Sequence, residues 1–141
     1  MTEIDHGLRV LSDAECWAHI RSRTIGRLAV VNGNRPDIFP VNYMVDDDKI
    51  VVRTAEGTKL AAAIATGTVA FEIDDIDESA KAAWSVVVHG DAREPRTVEE
   101  VLHDHALELE PWARAGDKLR FIEISPTQIT GRAIPGAVQD S

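Results

Sequence analysis

Apolar residues alternate with polar ones in several stretches of the chain, which is the two-residue repeat of a β-strand with one buried face. The repeat predicts strands at residues 24–31, 37–45, 49–54, 69–73, 84–93 and 119–124, with 129–134 extending the last beyond Pro126. The sequences Asn32-Gly33-Asn34 and Asp46-Asp47-Asp48 are typical of tight turns, so the first three strands should form antiparallel hairpins. Because closure removes exposed sheet edges, six or so short strands favour a β-barrel over a doubly wound parallel sheet.

Three stretches have helical patterns. Ser12-Asp13-Ala14-Glu15 is a capping box, and Ala14, Trp17 and Ile20 are expected on the buried side of the helix that follows. Residues 58–65 are rich in strong helix formers. Thr97-Val98-Glu99-Glu100 is a second capping box and begins a helix that reaches about residue 109. The predicted fold class is therefore mainly β with flanking helices.

Length and composition narrow the class further. The 141 residues correspond to one domain, 1–141, in which residues 1–11 and 136–141 are expected to be flexible. A net charge of −9 argues against nucleic acid as a partner. No apolar run approaches the length of about 18 residues that a membrane span needs. Cys16 is the single cysteine, which excludes a disulfide within the chain and predicts a cytoplasmic protein.

The stretch Arg53-Thr54-Ala55-Glu56-Gly57-Thr58-Lys59-Leu60 joins a predicted strand to a predicted helix. A helix N-terminus carries partial positive charge and favours acidic residues in its first turn, yet Lys59 lies there. A bound oxyanion would stabilise this arrangement, because Arg53 and Lys59 supply charge and Thr54 and Thr58 supply hydroxyl donors. The other interpretation is a polar turn with both cations in water, since such a charge costs only about 0.3–1 kcal/mol.

Four motifs occur in order along the chain. They are Phe39-Pro40-Val41-Asn42-Tyr43, Val51-Val52-Arg53-Thr54, Gly57-Thr58-Lys59-Leu60 and Trp84-Ser85-Val86-Val87-Val88-His89-Gly90. Together they resemble the pyridoxamine 5'-phosphate oxidase-like flavin-binding split β-barrels, in particular the branch with nitroimidazole-resistance reductases. The resemblance covers residues 12 to about 134 and implies an FMN-binding antiparallel split β-barrel. It also implies a homodimer with two FMN sites at the subunit interface.

The resemblance assigns residues to the cofactor. Arg53, Thr54, Thr58 and Lys59 would bind the phosphate. The residues expected around the flavin ring are Pro40, Val41, Asn42 and Tyr43 from one strand, with Trp84, Ser85 and Val86 from a neighbouring strand of the same or the other subunit. FMN also needs a largely apolar wall beside its phosphate site, which residues 38–44 and 84–88 would provide. Without the resemblance, these apolar residues would be assigned to an ordinary core.

A bound flavin implies an oxidoreductase that passes a hydride or electrons between a nicotinamide donor and a small-molecule acceptor. The flavin would supply the chemistry, so no catalytic residue is predicted. The chain lacks the long C-terminal segment, with its substrate-binding basic and aromatic residues, of the true pyridoxamine phosphate oxidases. This difference argues against oxidation of pyridoxamine phosphate.

Three alternatives remain open from the sequence. A deazaflavin-dependent reductase on the same fold would use Arg21, Arg23 and Arg27 for the acidic tail of its cofactor. A flavin- or haem-binding sensor or carrier would hold its ligand without turnover. A dimeric domain without a ligand would have no redox role.

No metal site is predicted. The two histidines of His103-Asp104-His105 would point to different sides of a helix. The acidic residues at 74–78 are expected to form a plain loop, and His89 is interpreted as structural.

Overall fold

The computed structural model describes residues 4–5, 7–55, 67–95, 99–100, 102–103 and 119–134, and only the backbone at Asp5, Thr54, Ala55 and Leu119. The elements in chain order are β1 (Ile4–Asp5), β2 (Leu8–Val10), α1 (Asp13–Arg21), β3 (Ile25–Asn32), β4 (Arg35–Asp46), β5 (Lys49–Ala55), β6 (Thr68–Asp77), β7 (Ala82–Arg93) and β8 (Leu119–Ile134). Glu99, Glu100, Leu102 and His103 are also helical. The predicted helix at 58–65 and most of the one at 97–109 lie outside the described residues.

Six of the strands close into an antiparallel barrel. β5, β4, β3, β6 and β7 are neighbours in that order, and β8 pairs with both β5 and β7. The β1–β2 hairpin extends the sheet beyond β8, where Arg9 pairs with Ala133. The predicted antiparallel barrel is therefore confirmed. The alternation of apolar residues did not predict β1 and β2, which are too short to show a repeat.

The barrel closes along β8, which runs without a break from Leu119 to Ile134 and passes through Pro126. The two segments predicted at 119–124 and 129–134 are thus one strand. The register against β7 shifts between His89 and Gly90, and this irregularity accommodates a proline that has no N–H for the ladder. A Cβ added at Gly90 would lie 2.6 Å from the Ser125 carbonyl oxygen, so the two backbones approach more closely than any side chain allows.

Side chains from the inner faces of the strands fill the barrel. Alternate positions are buried, as the two-residue repeat predicts. The core includes Leu28, Val30, Val41, Tyr43, Ile50, Val52, Phe71, Ile73, Val86, Val88, Ile122 and Ile124. A second, smaller group lies on the outer face of β4, β5 and β8, where Val51 and Phe121 are buried and Met44 packs on them. This outer group directly adjoins Arg53.

Helix α1 begins with the predicted capping box. The Ser12 hydroxyl accepts a hydrogen bond from the Glu15 backbone N–H, and the Glu15 carboxylate accepts one from the Ser12 N–H, both at 3.1 Å. Cys16 and Ile20 are fully buried against the barrel, whereas Ala14 is exposed. The prediction that Ala14 faces the core was wrong. Cys16 occupies that position and packs close to Gly131.

The acidic residues at 74–78 do not form the predicted loop. β6 continues to Asp77 and pairs with β7, in which Asp74 lies opposite Ser85 and Asp75 opposite Trp84. These residues remain in a strand because Arg27 of β3 and Arg23 of the α1–β3 connection neutralise the carboxylates on the barrel surface. Ion pairs between residues so far apart in the sequence cannot be predicted from a local run of acidic residues.

Candidate functional site

Arg53 projects from the outer face of β5 at the centre of a buried polar group. It lies opposite Phe121 of β8, and its guanidinium carbon is 5.5 Å from the centroid of that ring. Asn42 of β4 precedes Tyr43, the residue that pairs with Val52 of β5. Its side chain lies on the same outer face as Arg53, and the residue is 8% exposed. We call Asn42, Arg53, Arg93, Phe121 and Glu123 the Arg53 cluster. Their positions in the strand registers bring them onto one face of the barrel.

Glu123 is the buried charge in the Arg53 cluster, since its side chain is 5% exposed. The Arg93 guanidinium contacts its carboxylate at 2.8 Å and also contacts Glu100 at 3.2 Å. Next to this network, Arg120 of β8 contacts Glu94. A buried carboxylate is stable only when its charge is compensated, and Arg93 provides that compensation. The ion pairs also connect the end of β7 to β8 and to the helical residues that follow.

The four predicted phosphate-binding residues are only partly described. Arg53 has the outward position that an anion site needs. Thr54 lies opposite Arg120 in the β5–β8 ladder, with its backbone described. Thr58 and Lys59 lie outside the described residues. The grouping of these four residues around a phosphate therefore stays a prediction.

The residues of the Pro40-Val41-Asn42-Tyr43 motif alternate between the two sides of the barrel wall. Val41 and Tyr43 point into the core, and Tyr43 is 2% exposed. Its hydroxyl donates a hydrogen bond of 2.5 Å to the Ile20 carbonyl oxygen, and burial raises its pKa. Pro40 and Asn42 have their side chains on the outer side. Of the four residues, only Pro40 and Asn42 have side chains on the same side as Arg53. Val41 and Tyr43 have only backbone atoms on that side.

Trp84, Ser85 and Val86 lie on a different part of the barrel surface from Arg53 within one chain. They pair with Ala133, Arg132 and Gly131 of β8, whereas Arg53 pairs with Phe121 of the same strand. Ala133 lies twelve positions after Phe121 on β8. Around the barrel, β4, β3 and β6 lie between Arg53 and Trp84, and at a strand spacing of about 4.8 Å this path is on the order of 20 Å. Val86 itself is a core residue with no exposed surface.

Trp84 and Ser85 instead line a cavity of about 230 Å³, which we call the Trp84 cavity. Its apolar wall consists of Leu8, Ile76, Ala83, Trp84, Ala133 and Ile134, and its polar groups are Glu72, Asp74, Ser85 and Arg132. A neighbouring cavity of about 400 Å³ shares Ala83, Trp84, Ala133 and Ile134 with it. A mostly apolar wall with a few polar groups is the usual character of a small-molecule site.

The indole of Trp84 is held from the side of the helix. The His19 ring of α1 stacks on it with centroids 3.8 Å apart and an interplanar angle of 21°, and burial lowers the pKa of His19. The Arg23 guanidinium carbon lies 5.4 Å from the indole centroid. The His19 ring and the Arg23 guanidinium therefore fix the orientation of the indole and contact its ring.

The three arginines considered for an acidic cofactor tail do not form one groove. Arg21 lies over Trp17 at 5.2 Å and donates to the Asp47 carbonyl oxygen. Arg23 forms an ion pair of 2.6 Å with Asp75. Arg27 contacts both Glu72 and Asp74, at 3.0 and 2.8 Å. Because Arg23 and Arg27 are neutralised by β6 carboxylates, the arrangement gives no specific support to the deazaflavin alternative.

The histidines show no metal-binding arrangement within the described parts of the chain. His89 is exposed on β7, and His103 contacts the Asp46 carboxylate at 2.9 Å. His105 lies outside the described residues. Among the residues described, no three His, Cys, Asp or Glu side chains are grouped to hold a metal ion. No described helix has the length and apolar character needed to cross a membrane.

Sequence reasoning missed Glu72, Asp74, Arg93 and Glu123. One signal was present, because Glu123 interrupts the apolar run Phe121-Ile122-Glu123-Ile124 on the face opposite the core. A charged residue that is enclosed among apolar neighbours in a strand is expected to have a partner. The position of that partner, Arg93, depends on the β7–β8 pairing and carries no local signal.

Comparison with known proteins agrees with this barrel. The family model described as pyridoxamine 5'-phosphate oxidase matches residues 12–133. The FAD binding protein from Mycobacterium smegmatis is 39% identical, with a TM-score of 0.77 over 89% of this chain and 98% of that chain. An FAD-binding protein from Mesorhizobium loti is 26% identical, with a TM-score of 0.71 over 90% of this chain and 98% of that one. The uncharacterized protein Rv0080 of Mycobacterium tuberculosis is 35% identical over 75% of this chain and 72% of its own length.

The antiparallel barrel and its outer polar and aromatic sites define a protein of the split-barrel, flavin-binding class. The chain belongs to the pyridoxamine 5'-phosphate oxidase family, because the family model covers most of its length. The resemblance inferred from the sequence motifs is confirmed.

Proposed function

We propose that two copies of this chain bind a flavin nucleotide in sites shared between the subunits and use it for redox chemistry. The observation that carries the proposal is the separation of the Arg53 cluster from the Trp84 cavity. Both have features of a flavin site, yet they lie on different parts of the barrel surface, because β4, β3 and β6 come between Arg53 of β5 and Trp84 of β7. In a two-fold dimer the same two surfaces occur on each subunit, so one subunit's Arg53 cluster can meet its partner's Trp84 cavity twice.

In this arrangement Arg53, Thr54, Thr58 and Lys59 bind the phosphate, and the side chains of Pro40 and Asn42 border the ring. Val41 and Tyr43 contribute backbone groups at the same place. Trp84 and Ser85 of the partner subunit cover the other side of the ring, and Val86 of the partner subunit supports them from the core. This assignment retains every predicted cofactor residue, and the roles of Pro40, Val41, Asn42 and Tyr43 fit the side to which each side chain points.

The outer face of β3 and β4 offers a surface for the second copy. Ile25, Val31 and Ile38 are 48%, 56% and 68% exposed on it. Ala29 lies opposite Ile38 and Val31 opposite Pro36 in the β3–β4 ladder, so these residues form an apolar strip, which Arg27 separates from Ile25. A strip of this kind on a barrel surface is typical of an interface. The predicted homodimer is therefore part of the proposal.

FMN and FAD share the ring and the first phosphate, so the proposed contacts serve both. The sequence motifs favour FMN, whereas the similar proteins from M. smegmatis and M. loti are FAD-binding proteins. The bound flavin would supply the hydride or electron transfer between a nicotinamide donor and a small acceptor. The chain's own residues would bind the phosphate, orient the ring and shield it from water. A cytoplasmic location, expected from the lone Cys16, completes the proposal.

The first experiment is to purify the protein and identify the released chromophore by mass, which separates FMN, FAD and deazaflavin. A colourless protein that takes up neither FMN nor FAD would contradict the proposal. Replacing Arg53 and Lys59 with Ala should weaken flavin binding by at least tenfold, measured by quenching of flavin fluorescence, with an unchanged circular dichroism spectrum. Rapid oxidation of a nicotinamide cofactor by the loaded protein would separate an enzyme from a carrier.

A mixing experiment tests whether the site is shared. Arg53→Ala and Trp84→Leu should each abolish most binding, but co-expressed chains with different tags should recover about a quarter of the wild-type sites. Random pairing makes half of the dimers heterodimers, and each of these has one site with both halves intact. Trp17→Leu, which changes a half-buried tryptophan of α1 outside the Trp84 cavity, is the matched control and should bind normally. No recovery in heterodimers that have formed would show that the site is not shared.

A further inference from the structure

The middle of β8 has a strand neighbour on one side only. On that side it pairs with β7. On the other side the ladder with β5 ends at Ile124, and the ladder with β2 begins at Arg132. Within the described residues, no strand pairs with residues 125–130 on this second side. The sheet therefore has a gap between β5 and β2, which is about 20 Å long at about 3.3 Å per residue.

A cavity of about 320 Å³ lies in this gap, and we call it the split cavity. Three elements form its walls, which are Asp13 and Trp17 of α1, Asp48 and Lys49 where β4 turns into β5, and residues 125–129 of β8. Arg21 connects the first two walls, because it lies over the Trp17 ring and donates to the Asp47 carbonyl oxygen. No residue that lines the split cavity belongs to the proposed flavin site.

The backbone of β8 directs a hydrogen-bond donor and an acceptor toward the split cavity. In an antiparallel strand the N–H and C=O of one residue point to the same side, and this side alternates along the strand. The Gly131 carbonyl oxygen accepts from the Leu11 N–H at 2.9 Å, so the backbone groups of Gly131 point away from β7. Ile129 lies two residues earlier in a regular register with β7, so its N–H and C=O point the same way. The chain turns into α1 after Leu11, and no described strand pairs with Ile129 on that side.

A strand edge of this kind is suited to a short peptide. An extended peptide can add to a sheet edge, because its main-chain groups take the place of the missing strand. Pro126 has no N–H, and the register shift between His89 and Gly90 disturbs the ladder beside it. Such features prevent the addition of a long strand. Only the few residues of β8 that follow Pro126 can therefore pair with a ligand.

The side chains around the split cavity favour a basic peptide. Asp13 and Asp48 contribute two negative charges, whereas Lys49 contributes one positive charge. Trp17 and Ile129, which are partly buried against the core, provide an apolar surface between the polar groups. A lysine or arginine side chain can lay its apolar stem on such a surface and keep its charge near the carboxylates.

We propose that the split cavity binds a short basic peptide, which adds to the edge of β8 in an extended conformation. The peptide backbone pairs with the N–H and C=O of Ile129. Its basic side chain lies on Trp17, next to Asp13 and Asp48. This peptide site is separate from the proposed flavin site, and its occupation does not require a bound flavin.

The test is a titration of ¹⁵N-labelled protein with acetyl-Val-Lys-Val amide, followed by NMR. The signals of the Ile129 amide and the Trp17 indole N–H should shift with one common Kd, on the order of 1 mM for so small a contact. The same peptide methylated on the backbone nitrogens of its three residues keeps the side chains but loses these donors. It should bind at least about fivefold more weakly. Equal Kd values for the two peptides, or no shift at about 10 mM peptide, would overturn the inference.

Asp48→Asn tests the contribution of charge without altering the strand edge. This variant should bind the lysine peptide about two- to fivefold more weakly, as expected for an exposed ion pair, and should bind acetyl-Val-Gln-Val amide as the wild type does. Asp37→Asn is the matched control, since it removes a partly exposed carboxylate of β4 outside the split cavity. It should bind the lysine peptide normally. A glutamate peptide, acetyl-Val-Glu-Val amide, that binds the wild type as tightly as the lysine peptide would contradict the proposal.

Discussion

The hydroxyl of Tyr43 provides a quantitative test of how α1 is attached to the barrel. Its side chain is 2% exposed, and the hydroxyl donates to the carbonyl oxygen of Ile20, which is fully buried. Ile20 lies in the last turn of α1, where carbonyl groups have no partner within the helix. The tyrosine thus satisfies a helix-end carbonyl that water does not reach.

Tyr43→Phe removes this one hydrogen bond and little else. The ring keeps its volume and its edge-to-face contact with Phe71, whose centroid is 4.8 Å away at an interplanar angle of 73°. A typical hydrogen bond contributes about 0.5–1.5 kcal/mol, and a buried group left without a partner costs about 1–3 kcal/mol. We therefore expect a loss of about 1.5–2 kcal/mol in the free energy of unfolding, or roughly 5–7 °C in Tm for a domain of this size.

Urea denaturation followed by circular dichroism measures the loss, and the m-value should not change. Ser22→Ala is the control, because the Ser22 hydroxyl donates to the His19 carbonyl oxygen at 2.7 Å in an exposed position of the same helix end. Water can replace that donor, so the control should lose less than about 0.5 kcal/mol. Because the Tyr43 ring points into the core, the affinity for FMN should remain within about twofold. An unchanged midpoint for Tyr43→Phe would refute the reasoning.

Two further predictions concern the barrel wall. Gly90→Ala should destabilise the protein by about 1–3 kcal/mol, since the new methyl group would meet the Ser125 carbonyl oxygen at 2.6 Å and the backbone must shift; a urea midpoint equal to that of the wild type would contradict this. The second concerns pH: the folded state keeps the Glu72 proton up to about pH 7, but the unfolded chain releases it near 4.5. The stability of the wild type relative to Glu72→Gln should therefore fall as pH rises from 4.5 to 7 and stay lower above that window. Urea denaturation at pH 4.5, 6 and 8 checks the trend, and a rising difference would refute it.

The strands of the barrel could be predicted because each has one face in the core. Residues such as Leu28, Val30, Phe71 and Ile73 alternate with exposed ones, so β3 and part of β6 follow from local pattern. The acidic end of β6 could not be predicted as a strand, because its strand geometry depends on Arg23 and Arg27, about 50 residues earlier in the sequence. For the same reason β8 was predicted as two segments. Pro126 interrupts the local pattern, but the register shift at His89 and Gly90 absorbs it.

The candidate site was predictable only in part. Arg53 could be identified because two cations near a helix start contradict the usual electrostatic preference. Once the core is known, alternation also predicts which side of the strand each residue of the Pro40-Val41-Asn42-Tyr43 motif faces. The relative position of Arg53 and Trp84 does not follow from alternation. It depends on the pairing of β7 with β8, which no local property of either strand predicts.

The ion pairs on the barrel surface clarify why the Glu72–Asp74 pair differs from its neighbours. Arg23–Asp75 joins one cation to one carboxylate in a partly exposed position, where such a pair contributes at most about 1 kcal/mol. At Arg27 one guanidinium contacts two carboxyls, those of Glu72 and Asp74, and both line a largely apolar cavity. Burial, followed by the proximity of Asp74, raises the pKa of Glu72 to about 7, so Glu72 retains a proton at a higher pH than an exposed glutamate does.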